Sequence, residues 1–277
     1  MSISAKDVKK LRDLTGAGMM DCKKALSEAE GDMDRAVEIL RKKGQQVSEK
    51  RADREANQGL VVTRISDDGR KGAALEINCE TDFVALNEDF QSQTAQFLDV
   101  VYEKEITTVD ELLKEKLGDL TVEQHLEEMV GKIGEKIEIN RVELVKTDGQ
   151  VFDYIHPGNQ LGVLVEFEGN VSDPEVARDV AMQIAAMNPL AVTREGVDAS
   201  VIDKEMEIAR EQLINEGKPA EIAEKAAKGK LRRFYEEHVL LEQKFVKDNG
   251  ISVQEYLKQS ETPLVVSFHR IQLGQNS

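Results

Sequence analysis

Leu60-Val61-Val62-Thr63-Arg64-Ile65-Ser66-Asp67-Asp68-Gly69-Arg70-Lys71-Gly72-Ala73-Ala74-Leu75-Glu76-Ile77-Asn78-Cys79 reads as two strands joined by a turn. Leu60 to Ile65 and Ala73 to Cys79 are rich in β-branched and apolar residues, and the Asp/Gly-rich segment between them has the composition of a hairpin loop. Beyond Cys79 the period changes: Phe90, Phe97, Leu98 and Val101 fall on one helical face. The order then recurs ninety residues on. Gly72, Glu76, Asp89, Gln93 and Ala95 reappear as Gly162, Glu166, Asp179, Gln183 and Ala185, with strands expected at Val151 to Ile155 and Leu161 to Phe167. A duplicated unit at a fixed offset predicts an α+β fold, in which two related subdomains each set a short antiparallel sheet against helices on one face.

Thr108 with Glu111 and Thr121 with Gln124 have capping-box spacing and predict two more helices in the first copy, closed by a strand from Ile137 to Val145. In the second copy Ser172, Pro174 and Glu175 would start the helix, and the last strand would be Leu264 to Gln272. Between them lie two stripes, Ile202, Met206, Ala209, Leu213 and then Ala223, Ala227, Leu231, Phe234, separated by Glu216-Gly217-Lys218-Pro219. This predicts an antiparallel helical hairpin, which either projects toward a partner or lies flat on its own sheet.

Ahead of the first strand, Val8, Leu11 and Leu14, then Cys22, Ala25, Leu26 and Ala29, then Met33, Ala36, Val37 and Leu40 form three apolar faces. They predict a small three-helix module, with Asp32 capping its third helix and Gly44 ending it. Residues 45–58 turn polar and read as a linker. The expected divisions are therefore 1–44, a linker 45–58, a first subdomain 59–146 and a second 147–277 carrying the hairpin at 201–238.

Composition narrows the function. A net charge of −16 argues against binding along a nucleic-acid backbone, which needs clustered Lys and Arg. The first 58 residues carry slightly more basic than acidic side chains, so the acidity lies in the remainder. No apolar run reaches membrane-spanning length, and Met1 to Lys10 lacks the apolar stretch of a secretory signal, so a cytoplasmic protein is expected. Cys22 and Cys79 have neither zinc-site nor disulfide spacing and read as buried thiols. His125, His156, His238 and His269 are scattered outside any catalytic motif, and no phosphate-cradling glycine motif occurs. The chain reads as a non-enzyme without cofactor or metal.

Two stretches stand out. In Thr15-Gly16-Ala17-Gly18-Met19-Met20-Asp21-Cys22-Lys23-Lys24-Ala25-Leu26, two glycines free a tight turn and two methionines begin a helix whose core face is already taken by Cys22, Ala25 and Leu26. Met19 and Met20 either cap the small core or offer a flexible docking surface. In Thr81-Asp82-Phe83-Val84, Thr81 or Asp82 reads most simply as an N-cap and Phe83 as a core residue.

Both stretches resemble elongation factor Ts. The first is similar to the family's N-terminal motif, and Asn78-Cys79-Glu80-Thr81-Asp82-Phe83-Val84-Ala85 to its signature for dislodging Mg²⁺. Gly131-Lys132-Ile133-Gly134-Glu135-Lys136-Ile137 resembles the approach to its third core strand, and Glu216-Gly217-Lys218-Pro219 with Ile222-Ala223-Glu224-Lys225 its coiled-coil turn. The resemblance implies a ubiquitin-associated-like head that docks on elongation factor Tu through Met19, Met20 and Lys23. It further implies that Thr81, Asp82, Phe83 and Val84 act near that GTPase's Mg²⁺ to promote GDP release. Against it stands a scaffold or chaperone-like protein that uses only its head and keeps Phe83 buried. The family continues past the last strand into a further helix, whereas this sequence ends at Gln275-Asn276-Ser277. Self-association through the core stays open.

Overall fold

The computed structural model describes residues 3–275; Asn276 and Ser277, on which the expectation about a further helix falls, lie outside them. Three helices come first: α1 (Ala5–Thr15), α2 (Met19–Glu28) and α3 (Met33–Arg51). The first copy contains β1 (Gln58–Ile65), β2 (Lys71–Cys79), α4 (Asp82–Ala85), α5 (Glu88–Lys104), α6 (Val109–Lys114), β3 (Lys116–Leu117), β4 (Leu120–Thr121), α7 (Val122–Ile133) and β5 (Ile137–Lys146). The second contains β6 (Gln150–Ile155), β7 (Leu161–Phe167), α8 (Pro174–Met187), α9 (Ala199–Asn215), α10 (Ala220–His238), β8 (Lys244–Phe245), β9 (Asp248–Ser252), α11 (Val253–Gln259) and β10 (Val265–Gln272). The main sheets are antiparallel, ordered β1-β2-β5 and β6-β7-β10. The α+β class and the duplicated organisation are as expected.

Successive residues of β2 face opposite ways. Ala73, Leu75, Ile77 and Cys79 pack with Phe90, Phe97 and Val101 of α5 and with Val122 and Val130 of α7. Gly72 and Ala74 point to the other side, where the second sheet covers them. Val61, Ala74, Val145, Val151, Leu164 and Ile271 form a separate apolar layer between the two sheets. β2 is buried on both faces: Gly72 to Leu75 is apolar throughout, and beyond it Glu76 and Asn78, though polar, are buried as well.

The repeat extends beyond its sequence matches. The Val61 N–H donates to the Asn159 carbonyl at 2.7 Å and the Val151 N–H to the Gly69 carbonyl at 2.8 Å. These two bonds are related by the same offset of ninety residues. Gly69 (φ 69°) and Asn159 (φ 57°) each hold the left-handed turn of their hairpin, a conformation that Gly and Asn adopt at least cost. The two sheets are thus stacked about an approximate two-fold axis.

Several local expectations are corrected. Gly44 does not end α3. The helix runs on to Arg51, because Gly44 sits where α3 crosses α7 and only a hydrogen fits: a Cβ there would lie 2.8 Å from the Glu127 carbonyl oxygen. Val47, one turn further, packs against the first subdomain's core. Leu14 is exposed rather than part of the head core. It stands beyond the Val8–Leu11 face, on the rim of a cavity of about 450 Å³ that Val37, Leu40 and Lys132 also line. Asp173, not Ser172, caps α8, accepting from the Glu175 N–H at 3.0 Å. Thr121 and Gln124 complete their capping box, whereas the Glu111 carboxylate reaches back to the Thr107 N–H instead of that of Thr108.

The hairpin α9–α10 closes through Gly217 (φ 82°) and buries Ala209, Leu213, Ala223 and Ala227 along its seam. Only residues of these two helices make up that cluster, so over this length the hairpin projects from the body. Its base is fixed by Phe234 and Tyr235, which pack with Val197, Val201 and Val239.

Candidate docking site

Between β2 and α5 the chain must reverse, and it does so through the single turn of α4. Val84 and Ala85 turn inward and are buried in the first subdomain's core. Gln91 donates to the Ala85 carbonyl at 3.1 Å. Asn87 then caps α5, accepting from the Asp89 and Phe90 N–H groups at 2.9 and 3.2 Å. With the inner side of so short a helix occupied, Asp82, Phe83 and Leu86 are left outside. Phe83 is 81% exposed and Leu86 72% exposed, so Phe83 is not the core residue that its chemistry suggests. Leaving a Phe in water forgoes about 1.5–3 kcal/mol of burial free energy, and no packing among the described residues recovers it.

The turn is held rigidly from below. Thr81 does not cap α4 with its side chain. Its N–H and hydroxyl instead donate to the two oxygens of Glu135, at 3.0 and 2.8 Å. The Glu80 carboxylate accepts from Arg51 Nη1 at 2.6 Å and from the Lys136 N–H at 2.7 Å. Burial pushes the Glu80 carboxyl up, but these donors outweigh it and hold the group below the usual carboxylate range. The Cys79 thiol donates to the Thr81 carbonyl. Burial, with Glu135 nearby, pushes that thiol up to about 11, so it stays protonated and is no nucleophile.

Met19 and Met20 are 45% and 64% exposed, and Lys23 is exposed as well. Cys22, Ala25 and Leu26 fill the core face of α2, which leaves both methionines on the outside. Gly16 (φ 67°) ends α1 against α7: a Cβ there would meet Lys132 Cε at 2.7 Å. Lys132 in turn bonds Asp89 at 2.7 Å. Lys132, Glu135 and Lys136 therefore bracket three things at once, namely the head, the start of α5 and the Phe83 turn. Of the four residues expected in the turn, Asp82 and Phe83 face outward, Thr81 is tied to Glu135, and Val84 is an anchor inside the core. Leu86 is the residue that sequence reasoning passed over. Its signal is its spacing: three positions after Phe83, it shares that residue's side of a helical turn. Among the described residues no group of three or more His, Cys, Asp or Glu is placed to hold a metal.

The family profile described as elongation factor TS matches residues 80–275, beginning at the Glu80 that roots this turn. The chain belongs to the elongation factor Ts family. Relatives agree over nearly their full lengths. Elongation factor Ts of Prosthecochloris aestuarii is 47% identical over 98% of this chain and 99% of its own. That of Amoebophilus asiaticus is 45% identical over 99% and 100%, and that of Christiangramia forsetii 47% identical over 98% and 99%. Membership of that family makes the protein a factor of translation elongation. Among its described residues no helix is long and apolar enough to cross a membrane.

Proposed function

We propose that this protein is the guanine-nucleotide exchange factor of elongation factor Tu in the cytoplasm, and that it makes and breaks no covalent bond. In this reading the head, residues 1–44, grips the GTPase through Met19, Met20 and Lys23. The turn carries Asp82 and Phe83 against the elements that hold Mg²⁺ and the phosphates. A GTPase retains its nucleotide through Mg²⁺ and a backbone phosphate cradle, so displacing these elements slightly weakens GDP binding. The second subdomain and its hairpin hold another part of the partner. Linkage makes the effect mutual: whatever factor this protein imposes on GDP affinity, GDP imposes on its affinity for the GTPase.

The observation that carries this reading is the exposure of Phe83 on a turn whose neighbours on both sides are bonded or buried. An aromatic side chain has few rotamers to lose, and a turn already fixed costs little further ordering when it docks. The rival scaffold reading requires a buried, inert Phe83, and the exposed ring counts against it. The test is release of fluorescent GDP from elongation factor Tu with and without this protein. Acceleration is expected, and its absence at micromolar concentration would end the proposal.

A further inference from the structure

Glu80 lies at the junction of three parts of the molecule. Its carboxylate is 15% exposed and takes Arg51 Nη1 at 2.6 Å and Arg54 Nη1 at 3.5 Å, both from the end of the chain's third helix or the bend just after it. It also accepts the Lys136 N–H at 2.7 Å, from the residue preceding β5. Next in sequence is Thr81, clamped twice by Glu135, and two residues beyond Thr81 is the exposed Phe83. The head is therefore joined to the Phe83 turn directly through α3, in addition to its crossing over α7 at Gly44 and Gly131. The Thr81 N–H and hydroxyl both donate to Glu135, in the α7–β5 connection. Arg51 pairs Glu80 with α3, the helix that also forms part of the head core through Ala36 and packs on the first subdomain's core through Val47.

We infer that Arg51 is a positioning residue for nucleotide exchange: through Glu80 it sets where Phe83 stands relative to the docking face at Met19 and Met20. The inference rests on the exchange function proposed above. A charge-assisted pair with partial burial is directional and resists displacement better than an exposed pair. It defines a distance between the two contacts that the partner must match at once. Without it the head still folds on its own core and α4 is still seated by Val84 and Ala85, but the register between the two contacts loosens. Binding through the head then survives, while the Phe83 ring meets the GTPase off its mark.

The experiment is stopped-flow release of fluorescent GDP from elongation factor Tu, titrated with wild type, Arg51→Ala, Arg51→Lys, Glu80→Gln and Phe83→Ala, with a melting curve for each. In Arg51→Ala and Glu80→Gln the plateau rate is expected to fall roughly tenfold, in line with the cost of small misplacements. The half-saturating concentration should change less than about twofold, and Arg51→Lys should recover part of the rate. Adding Arg51→Ala to Phe83→Ala should slow exchange no further, since both act through one ring. An unchanged plateau in Glu80→Gln and Arg51→Ala, or a loss that appears only as weaker binding or a lower melting temperature, overturns the positioning role. If Phe83→Ala itself exchanges at the wild-type rate, the proposed function falls instead. Slow Phe83→Ala beside fast Arg51→Ala leaves that function standing and removes only this inference.

Discussion

Val61 occupies the space in which a side chain on Gly162 would begin: a Cβ built on Gly162 would stand 2.6 Å from Val61 Cγ1. Ninety residues away the contact is repeated in the opposite sense, with Val151 Cγ1 2.8 Å from where a Gly72 Cβ would be. The two sheets approach each other through these reciprocal valine-on-glycine contacts, and Ala74 and Leu164 fill the space between them.

Gly162→Ala should accordingly overpack the layer and destabilise the protein by about 1–3 kcal/mol, the usual cost of an inserted methyl in a filled core. Val61→Ala added to it should return part of that loss, although Val61→Ala alone is destabilising. Urea denaturation of the two single variants and the double variant measures the coupling.

Phe83→Ala should leave the melting temperature within about a degree of wild type, since the removed ring contributes nothing to the chain's own core. A buried Phe lost in the same way would cost about 3–5 kcal/mol. Slower GDP release with unaltered unfolding is the expected pair of results.

At Gly44 the obstacle to a side chain is backbone, 2.8 Å away at the Glu127 carbonyl, and backbone does not yield as a flexible side chain would. Gly44→Val should lift α3 off α7. Hydrogen exchange should then rise along residues 44–51 and 127–133 while the head core around Leu26 stays protected.

Stability should also depend on pH through Glu143, which accepts from the His269 ring at 2.8 Å and from Arg141 at 2.7 Å. Burial pushes its carboxyl up, but His269 and Arg141 outweigh that and hold it below the ordinary value. A carboxyl depressed by folding stabilises at pH above its unfolded value and loses this effect as pH falls through the folded one. Wild type should thus melt higher than Glu143→Gln near neutral pH, and the gap should close below about pH 4.

Much of this architecture was legible because it is locally encoded. Both hairpins carry their own turn residues, α5 its stripe, α7 its complete capping box, and α9 and α10 the Gly-Pro break between them. The misreadings fall where distant parts of the chain decide. Phe83 belongs to a four-residue helix, too short to display a period, and it is the Thr81 bond to Glu135, 54 residues away, that helps turn it outward. Gly44 resembles a helix stop until Gly131 is brought against it. The facing of the two sheets across Val61 and Val151 was not readable at all, since a strand covered on both sides looks the same whichever partner covers it.

The continuity of α3 bears on how quickly a second contact follows a first. Two binding elements on a flexible tether meet their sites at an effective concentration fixed by tether length, and most encounters after the first are unproductive. Here no tether separates Leu26 and Ala36 in the head from Val47 in the body. On the exchange function proposed above, a first contact at Met19 and Met20 would leave no search for the second site, and the rate at which the ring enters would depend on the partner's own motions.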